Sequence, residues 1–115
     1  MKIIIYHNPK WGKSRNSVRI LEEKNIVFTL VEYLKTPPTK QELKQIVEIL
    51  NVEISEILRT SEKEFVENNL SEIIHDKDKI FDAIIKFPKI LQRPIIICGD
   101  KGVIGRPPEN IFKIL

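Results

Sequence analysis

The stretch KIIIYHNPKWGKSRNSVRILEEKNIVFTLVEY, residues 2–33, predicts the central part of the fold. Its first five residues, 2–6, form a short apolar run rich in β-branched side chains, which is typical of a buried strand. Residues 14–24 carry an apolar stripe and are predicted to form a helix. Residues 26–33 form a second β-branched run. A strand, a helix and a strand within about thirty residues predict a βαβ unit whose two strands are parallel.

A block of helical patterns follows this unit. Thr39 with Glu42, and Ser61 with Glu64, have the spacing of capping boxes, in which the two side chains satisfy backbone N–H groups at a helix start. Phe65, Phe81, Phe87 and Phe112 are predicted to belong to the core. The predicted helices cover residues 40–50, 52–60, 64–70 and 78–87, and Pro88 ends the last of them.

The chain ends with a hairpin and a helix. Residues 94–106, PIIICGDKGVIGR, predict two strands joined by a Gly-Asp-Lys-Gly turn. Residues 107–115 begin with two prolines, which are tolerated in the first turn of a helix. The order βαβ, helical block, ββα is that of an α/β, thioredoxin-like (glutaredoxin-like) fold. It has a four-stranded mixed sheet and a helical insertion between the βαβ and ββα halves.

The composition is that of one folded domain, predicted to span residues 1–115. The chain is 42% hydrophobic and 30% charged, with a formal net charge of +3. This charge is too small to predict a nucleic-acid partner, and no apolar run has the length of a membrane span. The one cysteine excludes an internal disulfide, and no Cys/His pattern predicts a metal site. We expect a cytoplasmic protein without a bound cofactor.

The loop before the first helix has the composition of an anion site. The start of a helix favours anions because its N–H groups are unpaired and its dipole is positive there. Gly12 allows close backbone approach, Ser14 and Arg15 open the helix, and Lys10 and Lys13 add positive charge. The sequence GKS, residues 12–14, also ends the phosphate-binding P-loop motif, but that motif needs a glycine where this chain has His7.

Three arginines stand beside predicted element ends. Arg59 ends the predicted helix of residues 52–60, Arg93 precedes Pro94, and Arg106 precedes Pro107. In a thioredoxin-like layout the strand ends and the first helix start meet at one edge, where guanidinium groups could bind a tetrahedral oxyanion. Each arginine could instead form a surface ion pair with one of the many glutamates.

Four motifs in order resemble the glutaredoxin-dependent arsenate reductase family along essentially the whole chain. The family pattern Y-H-N-P-x-C-x-x-S-R corresponds to YHNPKWGKSR, and its Y-L-x-T-P-P-T corresponds to YLKTPPT. The sequence ILR matches its L-L-R, and RPI with IGRPPE matches its last motif. These motifs cover residues 6–15, 33–39, 57–59, 93–95 and 104–109.

The resemblance implies a thioredoxin-like fold, a cis-proline at Pro94 and a reaction in which a cysteine thiolate attacks arsenate. Glutathione is then the co-substrate and glutaredoxin the partner that closes the cycle. By position, His7 corresponds to the histidine that tunes the thiol. Arg59, Arg93 and Arg106 correspond to the arginines that bind the oxyanion. The nucleophile position is Trp11.

Tryptophan cannot take this role, because an indole N–H is a hydrogen-bond donor without an accessible lone pair. Cys98 lies in an apolar predicted strand, where cysteines are usually inert, and its strand is expected to end at the opposite edge. Two functions remain open. One is reduction of arsenate or a related oxyanion with glutathione. The other is non-catalytic binding of an oxyanion (arsenate, phosphate or sulfate), of glutaredoxin or of another protein. The analogy for this second function is a related branch of the fold whose members contact RNA polymerase. Members of that branch typically carry a C-x-x-C pair, which this sequence lacks. Trp11 would then cover the pocket or provide a stacking surface.

Overall fold

A computed structural model describes residues 2–10 and 12–115, apart from the side chain of Lys13. The described chain divides into two compact units. The first, called the sheet unit, contains the residues up to Thr36 together with Arg93–Leu115. The second, called the helical unit, is Pro37–Gln92 and lies in sequence between the βαβ and hairpin segments.

The sheet unit contains a four-stranded mixed sheet in the order β2-β1-β3-β4. Strand β1 is parallel to β2 and antiparallel to β3, and β3 is antiparallel to β4. The predicted fold class, an α/β arrangement of the thioredoxin-like type, is confirmed by this sheet. The elements of this unit are β1 (Ile3–His7), α1 (Gly12–Glu23), β2 (Thr29–Glu32), β3 (Ile95–Cys98), β4 (Lys101–Ile104) and a 3-10 helix, Pro108–Lys113.

One face of the sheet packs against α1 and the C-terminal 3-10 helix. Alternate residues of a strand point to the same face, so Ile3 and Ile5 of β1 share a buried cluster with Ile96 and Cys98 of β3. Leu21 of α1 is fully buried in the same cluster. His7 follows Ile5 by two residues and therefore belongs to the α1 side of β1.

Strand β2 begins at Thr29, three residues later than predicted. The residues before it complete the C-terminal cap of α1. Asn25 is left-handed, with φ 57°, its N–H bonds Glu22 O at 3.0 Å, and the N–H of Ile26 bonds Leu21 O at 3.0 Å. This pair of bonds is the Schellman motif, which occupies the Ile26 amide and delays the strand.

The helical unit contains three helices, α2 (Lys40–Leu50), α3 (Lys63–Glu67) and α4 (Lys77–Lys86). The predicted Thr39–Glu42 capping box is confirmed: Glu42 N donates to Thr39 Oγ1 at 3.1 Å, and Thr39 N donates to Glu42 Oε1 at 3.2 Å. The core side chains of the helical unit come from all three helices and from short 3-10 helices at Ile54–Ile57, Leu70–Ile73 and Pro88–Ile90.

Three further local predictions were wrong. The Ser61–Glu64 box does not form, because α3 has Glu62 as its N-cap residue and the Glu62 carboxylate bonds Arg59 instead. Residues 52–60 form only a four-residue 3-10 helix, because Leu58 pairs with Leu91 in a β-bridge. Phe112 is 48% exposed rather than buried, and the ammonium group of Lys24 lies 5.2 Å from its ring centre.

Candidate anion site

The strand register brings several predicted site residues to one edge of the sheet unit. His7 ends β1 and stands opposite Glu32 at the end of β2. Ile95, at the start of β3, pairs with both Tyr6 and Ile104. Arg93 therefore enters the sheet, and Arg106 leaves it, at the edge where β1 ends. We call this edge, with its loop of residues 8–10, the anion edge.

The loop at the anion edge is held by hydrogen bonds between residues close in the sequence. Asn8 Oδ1 accepts from Lys10 N at 3.1 Å, and the N–H of Asn8 donates to Ser14 Oγ at 3.3 Å. Arg15 Nη1 donates to Pro9 O at 3.2 Å. Ser14 is fully buried and Arg15 is exposed. The side chains of Ser14 and Arg15, both predicted to bind an anion, therefore stabilise the loop. Helix α1 begins at Gly12, two residues after the end of the described loop.

Two residues predicted for the site are not fully described in the structure. Trp11, the predicted nucleophile position, lies outside the described residues, as does the side chain of Lys13. Gly12 has a described environment. A Cβ built there would lie 3.7 Å from Arg15 Nη2, which is an ordinary contact. The described atoms therefore leave room above Gly12 at the start of α1.

His7 is the buried titratable group of the anion edge. Its side chain is only 6% exposed, and Nδ1 has no hydrogen-bond partner among the described residues. Burial lowers the pKa of the imidazole below its ordinary value of 6.5, with the Glu32 carboxylate opposing the change and the Arg15 guanidinium adding to it. The neutral form of the ring is therefore favoured at neutral pH.

The two arginines of the sheet unit differ in exposure. Arg93 is 3% exposed and precedes Pro94, and Arg106 is exposed and precedes Pro107. The Arg93–Pro94 and Arg106–Pro107 peptide bonds are both cis. Between the arginines, Gly105 N donates to Pro94 O at 2.8 Å. This bond ties the start of β3 to the residue after β4 and fixes the backbone from which both guanidinium groups extend.

Arg59 belongs to the helical unit. It lies two residues after the 3-10 helix Ile54–Ile57, and its N–H donates to Ile90 O at 2.7 Å. Its guanidinium pairs with the Glu62 carboxylate and donates to Lys89 O at 3.4 Å. Arg59 thus forms the kind of ion pair that was the alternative to anion binding.

A small cavity lies beside the anion edge on the α1 side. Its volume is about 300 Å³. Sequence reasoning identified His7 and Arg15 but missed the other lining residues, although their spacing on one helix face carried the signal. The lining residues are His7, Arg15, Val18, Arg19 and Glu22. We call it the α1 cavity.

A larger cavity, of about 810 Å³, lies within the helical unit. Glu48 and Lys44 of α2 line one side, and Asp76, Asp78 and His75 line another. Four carboxylates and three lysines line it, so it has no net positive charge that would favour an oxyanion.

Cys98 lies far from the anion edge along the sheet. It pairs with Ile3, at the start of β1, whereas His7 is at its end. The side chain is 4% exposed and belongs to the apolar cluster under α1. The thiol therefore lies in the hydrophobic core at the opposite edge, as the hairpin pattern predicted.

Within residues 2–10 and 12–115, no group of three or more His, Cys, Asp or Glu side chains could hold a metal ion. No helix in these segments is long and apolar enough to cross a membrane.

Comparison with known proteins places this geometry in a family. The model of the ArsC family matches residues 6–114. An arsenate reductase of Haemophilus influenzae is 36% identical over 116 residues, covering 100% of both chains. One of Neisseria meningitidis serogroup A is 37% identical, covering 99% of this chain and 98% of the relative. The solved structure of an arsenate reductase from Vibrio cholerae matches with a TM-score of 0.95 and 37% identity, covering 100% of this chain and 98% of that one. By sequence, by fold and over its whole length, the chain belongs to the ArsC family.

Proposed function

We propose that this ArsC-family protein binds a tetrahedral oxyanion at the anion edge but does not reduce arsenate through a cysteine. The observation that carries the proposal is the position of the only sulfhydryl group in the sequence. Cys98 is buried in the core at the opposite end of β1 from His7. A thiolate that attacks arsenate must reach the oxyanion, and this one is separated from the anion edge by the length of the strand.

The residue that precedes α1 in the sequence supports the same conclusion. In the family pattern the reactive cysteine follows Y-H-N-P-x, and that position here is Trp11. An indole N–H donates one hydrogen bond and has no lone pair for covalent attack on arsenic. The first step of thiol-dependent reduction, formation of a sulfur–arsenic bond, therefore has no nucleophile at this position.

Oxyanion binding requires no thiol, and the anion edge retains the groups that such binding uses. Arg93 lies just before β3, and Arg106 lies just after β4. Guanidinium groups bind tetrahedral oxyanions through paired N–H donors. Helix α1 begins beside them at Gly12, and the positive end of its dipole favours an anion. Arsenate, phosphate and sulfate share the shape and charge that these groups recognise.

The test combines turnover with binding. Arsenate reduction in the presence of glutathione, glutaredoxin and glutaredoxin's reducing system, followed as NADPH oxidation, is expected at background level. Calorimetric titration with sulfate, phosphate and arsenate is expected to give saturable binding. Turnover within tenfold of an active relative would overturn the non-catalytic half of the proposal.

A charge-matched pair of variants locates the binding. Arg106→Gln removes an exposed cation at the anion edge, whereas Lys101→Gln removes an exposed cation beside Cys98 at the other end of the sheet. Loss of a charge-assisted hydrogen bond predicts about tenfold weaker sulfate binding for Arg106→Gln. Lys101→Gln is expected to bind like the unmodified protein. Equal affinities of the two variants would contradict an anion site at this edge.

A further inference from the structure

Strand β2 is an open edge of the sheet. It stands at one end of the strand order β2-β1-β3-β4 and pairs with β1. Apart from that pairing, no backbone hydrogen bond from another described segment reaches residues 27–31. Because backbone groups of an edge strand that point away from the sheet can pair with a further strand, β2 can accept one.

The other edge strand, β4, is protected against such pairing. Lys101 at its start is exposed, and at its end Asn110 Nδ2 donates to Ile104 O at 3.0 Å. A lysine on the strand and a segment that covers it are two ways in which native proteins prevent edge-to-edge pairing.

Residues 26–31, IVFTLV, lack this protection. We call them the β2 edge segment. They contain no charge, proline or glycine, and the register of β2 with β1 runs without a bulge. An uncharged segment of high β-propensity at an exposed edge tends to pair with a like segment.

The β2 edge segment also exposes apolar side chains. Val27 is 89% exposed and Leu30 is 45% exposed, whereas Phe28 and Val31 are half-buried. Removing exposed apolar surface from water is favourable, so a strand that pairs here gains from side-chain burial as well as from backbone hydrogen bonds.

The charges that flank the segment favour an antiparallel copy of the same segment. Lys24 precedes it and Glu32 follows it. An antiparallel copy brings each Glu32 towards the Lys24 of the other chain, which is favourable, whereas a parallel copy would bring like charges together. Glu32 also lies 3.8 Å from Lys35, but that ion pair is exposed, and such pairs contribute little.

We propose that the β2 edge segment pairs antiparallel with the β2 edge segment of a second copy of this chain, with Thr29 opposite Thr29. Each exposed side chain then meets a half-buried one: Val27 lies opposite Val31, and Leu30 lies opposite Phe28. The two four-stranded sheets join into one continuous sheet. This surface is separate from the oxyanion proposal, which uses Arg93 and Arg106.

Sedimentation velocity and NMR test the association. The paired segment is short, so we expect a weak dimer, which loadings from about 10 μM to about 1 mM detect if the dissociation constant is no higher than about 1 mM. Amide shifts that change with protein concentration should centre on residues 26–32.

Lysine substitutions locate the interface. Val27→Lys and Leu30→Lys should each weaken dimerisation at least about tenfold, because a lysine protects an edge strand and its charge would lie in an apolar contact. Val66→Lys is the matched control, since Val66 is 61% exposed on α3 and the same charge is added away from β2. It should dimerise like the unmodified protein, and circular dichroism checks that each variant is folded.

Charge reversal tests the antiparallel arrangement. Glu32→Lys should weaken dimerisation about threefold, because it brings a lysine towards Lys24 of the second copy. Adding Lys24→Glu to that variant restores opposite charges and should recover the affinity.

Four outcomes would overturn the proposal. They are a monomer at every concentration, equal effects of Val27→Lys and Val66→Lys, concentration-dependent shifts centred outside residues 26–32, and no recovery in the double charge reversal.

Discussion

Replacing Gly105 by alanine would place a methyl carbon 2.7 Å from Pro94 Cγ, 2.9 Å from Ser17 Oγ and 3.2 Å from Ile96 Cδ1. The first two distances are shorter than real Cβ contacts, so neighbouring groups must move. Ser17 is fully buried on α1, Ile96 is fully buried in β3, and the proline is a closed ring. None of these three neighbours is the mobile end of an exposed side chain.

The expected loss of stability follows from this crowding. Inserting a methyl group into a well-packed interior costs about 1–3 kcal/mol in the free energy of unfolding. We expect about 2 kcal/mol for Gly105→Ala. With a urea dependence of roughly 2 kcal/mol per molar, this lowers the midpoint of urea unfolding by about 1 M. Equilibrium unfolding followed by circular dichroism measures both the midpoint and the slope.

The matched control is Gly12→Ala at the start of α1. A Cβ there meets Arg15 Nη2 at 3.7 Å as its nearest described neighbour, and alanine is the better helix former. Gly12→Ala is therefore expected to be neutral or stabilising. If Gly105→Ala stays within about 0.5 kcal/mol of the unmodified protein, the small range typical of unconstrained surface positions, the argument from close packing is refuted.

Three further predictions concern titratable groups. Cys98 should react with a thiol reagent at neutral pH far more slowly in the native than in the urea-unfolded protein, because its side chain is 4% exposed; equal rates would contradict its placement in the core. Trp11→Cys should create a thiol with a pKa below about 8.5, the value of an unperturbed cysteine, because α1 begins at the next residue. Ultraviolet titration measures this pKa, and a value at or above about 8.5 would show that the helix start does not activate the thiol. The lowered pKa of His7 predicts that its contribution to stability is complete above about pH 6.5 and declines as the pH falls, since the unfolded chain then binds the proton more readily. His7→Gln should flatten this dependence between pH 8 and 5, whereas a matched His75→Gln change at an exposed site should preserve it.

Local sequence patterns were sufficient for the elements whose causes are local. The βαβ order, the hairpin of residues 94–106, the Thr39–Glu42 capping box and the helix ended by Pro88 all appear in the structure. In each case the determining groups lie within a few residues of one another: a run of β-branched apolar side chains, a cap three residues from its partner, or a proline without an N–H.

The wrong local predictions each involve a competing partner that the pattern did not show. Ile26 had the composition of a strand residue, but its N–H is used by the C-terminal cap of α1. Ser61 had the spacing of an N-cap, but the bond between Glu62 and Arg59 moved the helix start by one residue. Both competing hydrogen bonds are themselves local, since they join residues five and three positions apart, and each prevails over the propensity that the pattern showed.

The candidate site also has one part that the sequence predicted and another that depends on the tertiary structure. The sequence was enough to identify His7, Arg93 and Arg106, because they lie in motifs next to strand ends. Their placement at one edge depends on the strand register, in which Ile95 pairs with both β1 and β4. Burial of the His7 side chain and the lack of space at Gly105 arise from neighbours distant in the chain. Such properties depend on which surfaces the folded chain brings into contact, so only the tertiary structure decides them.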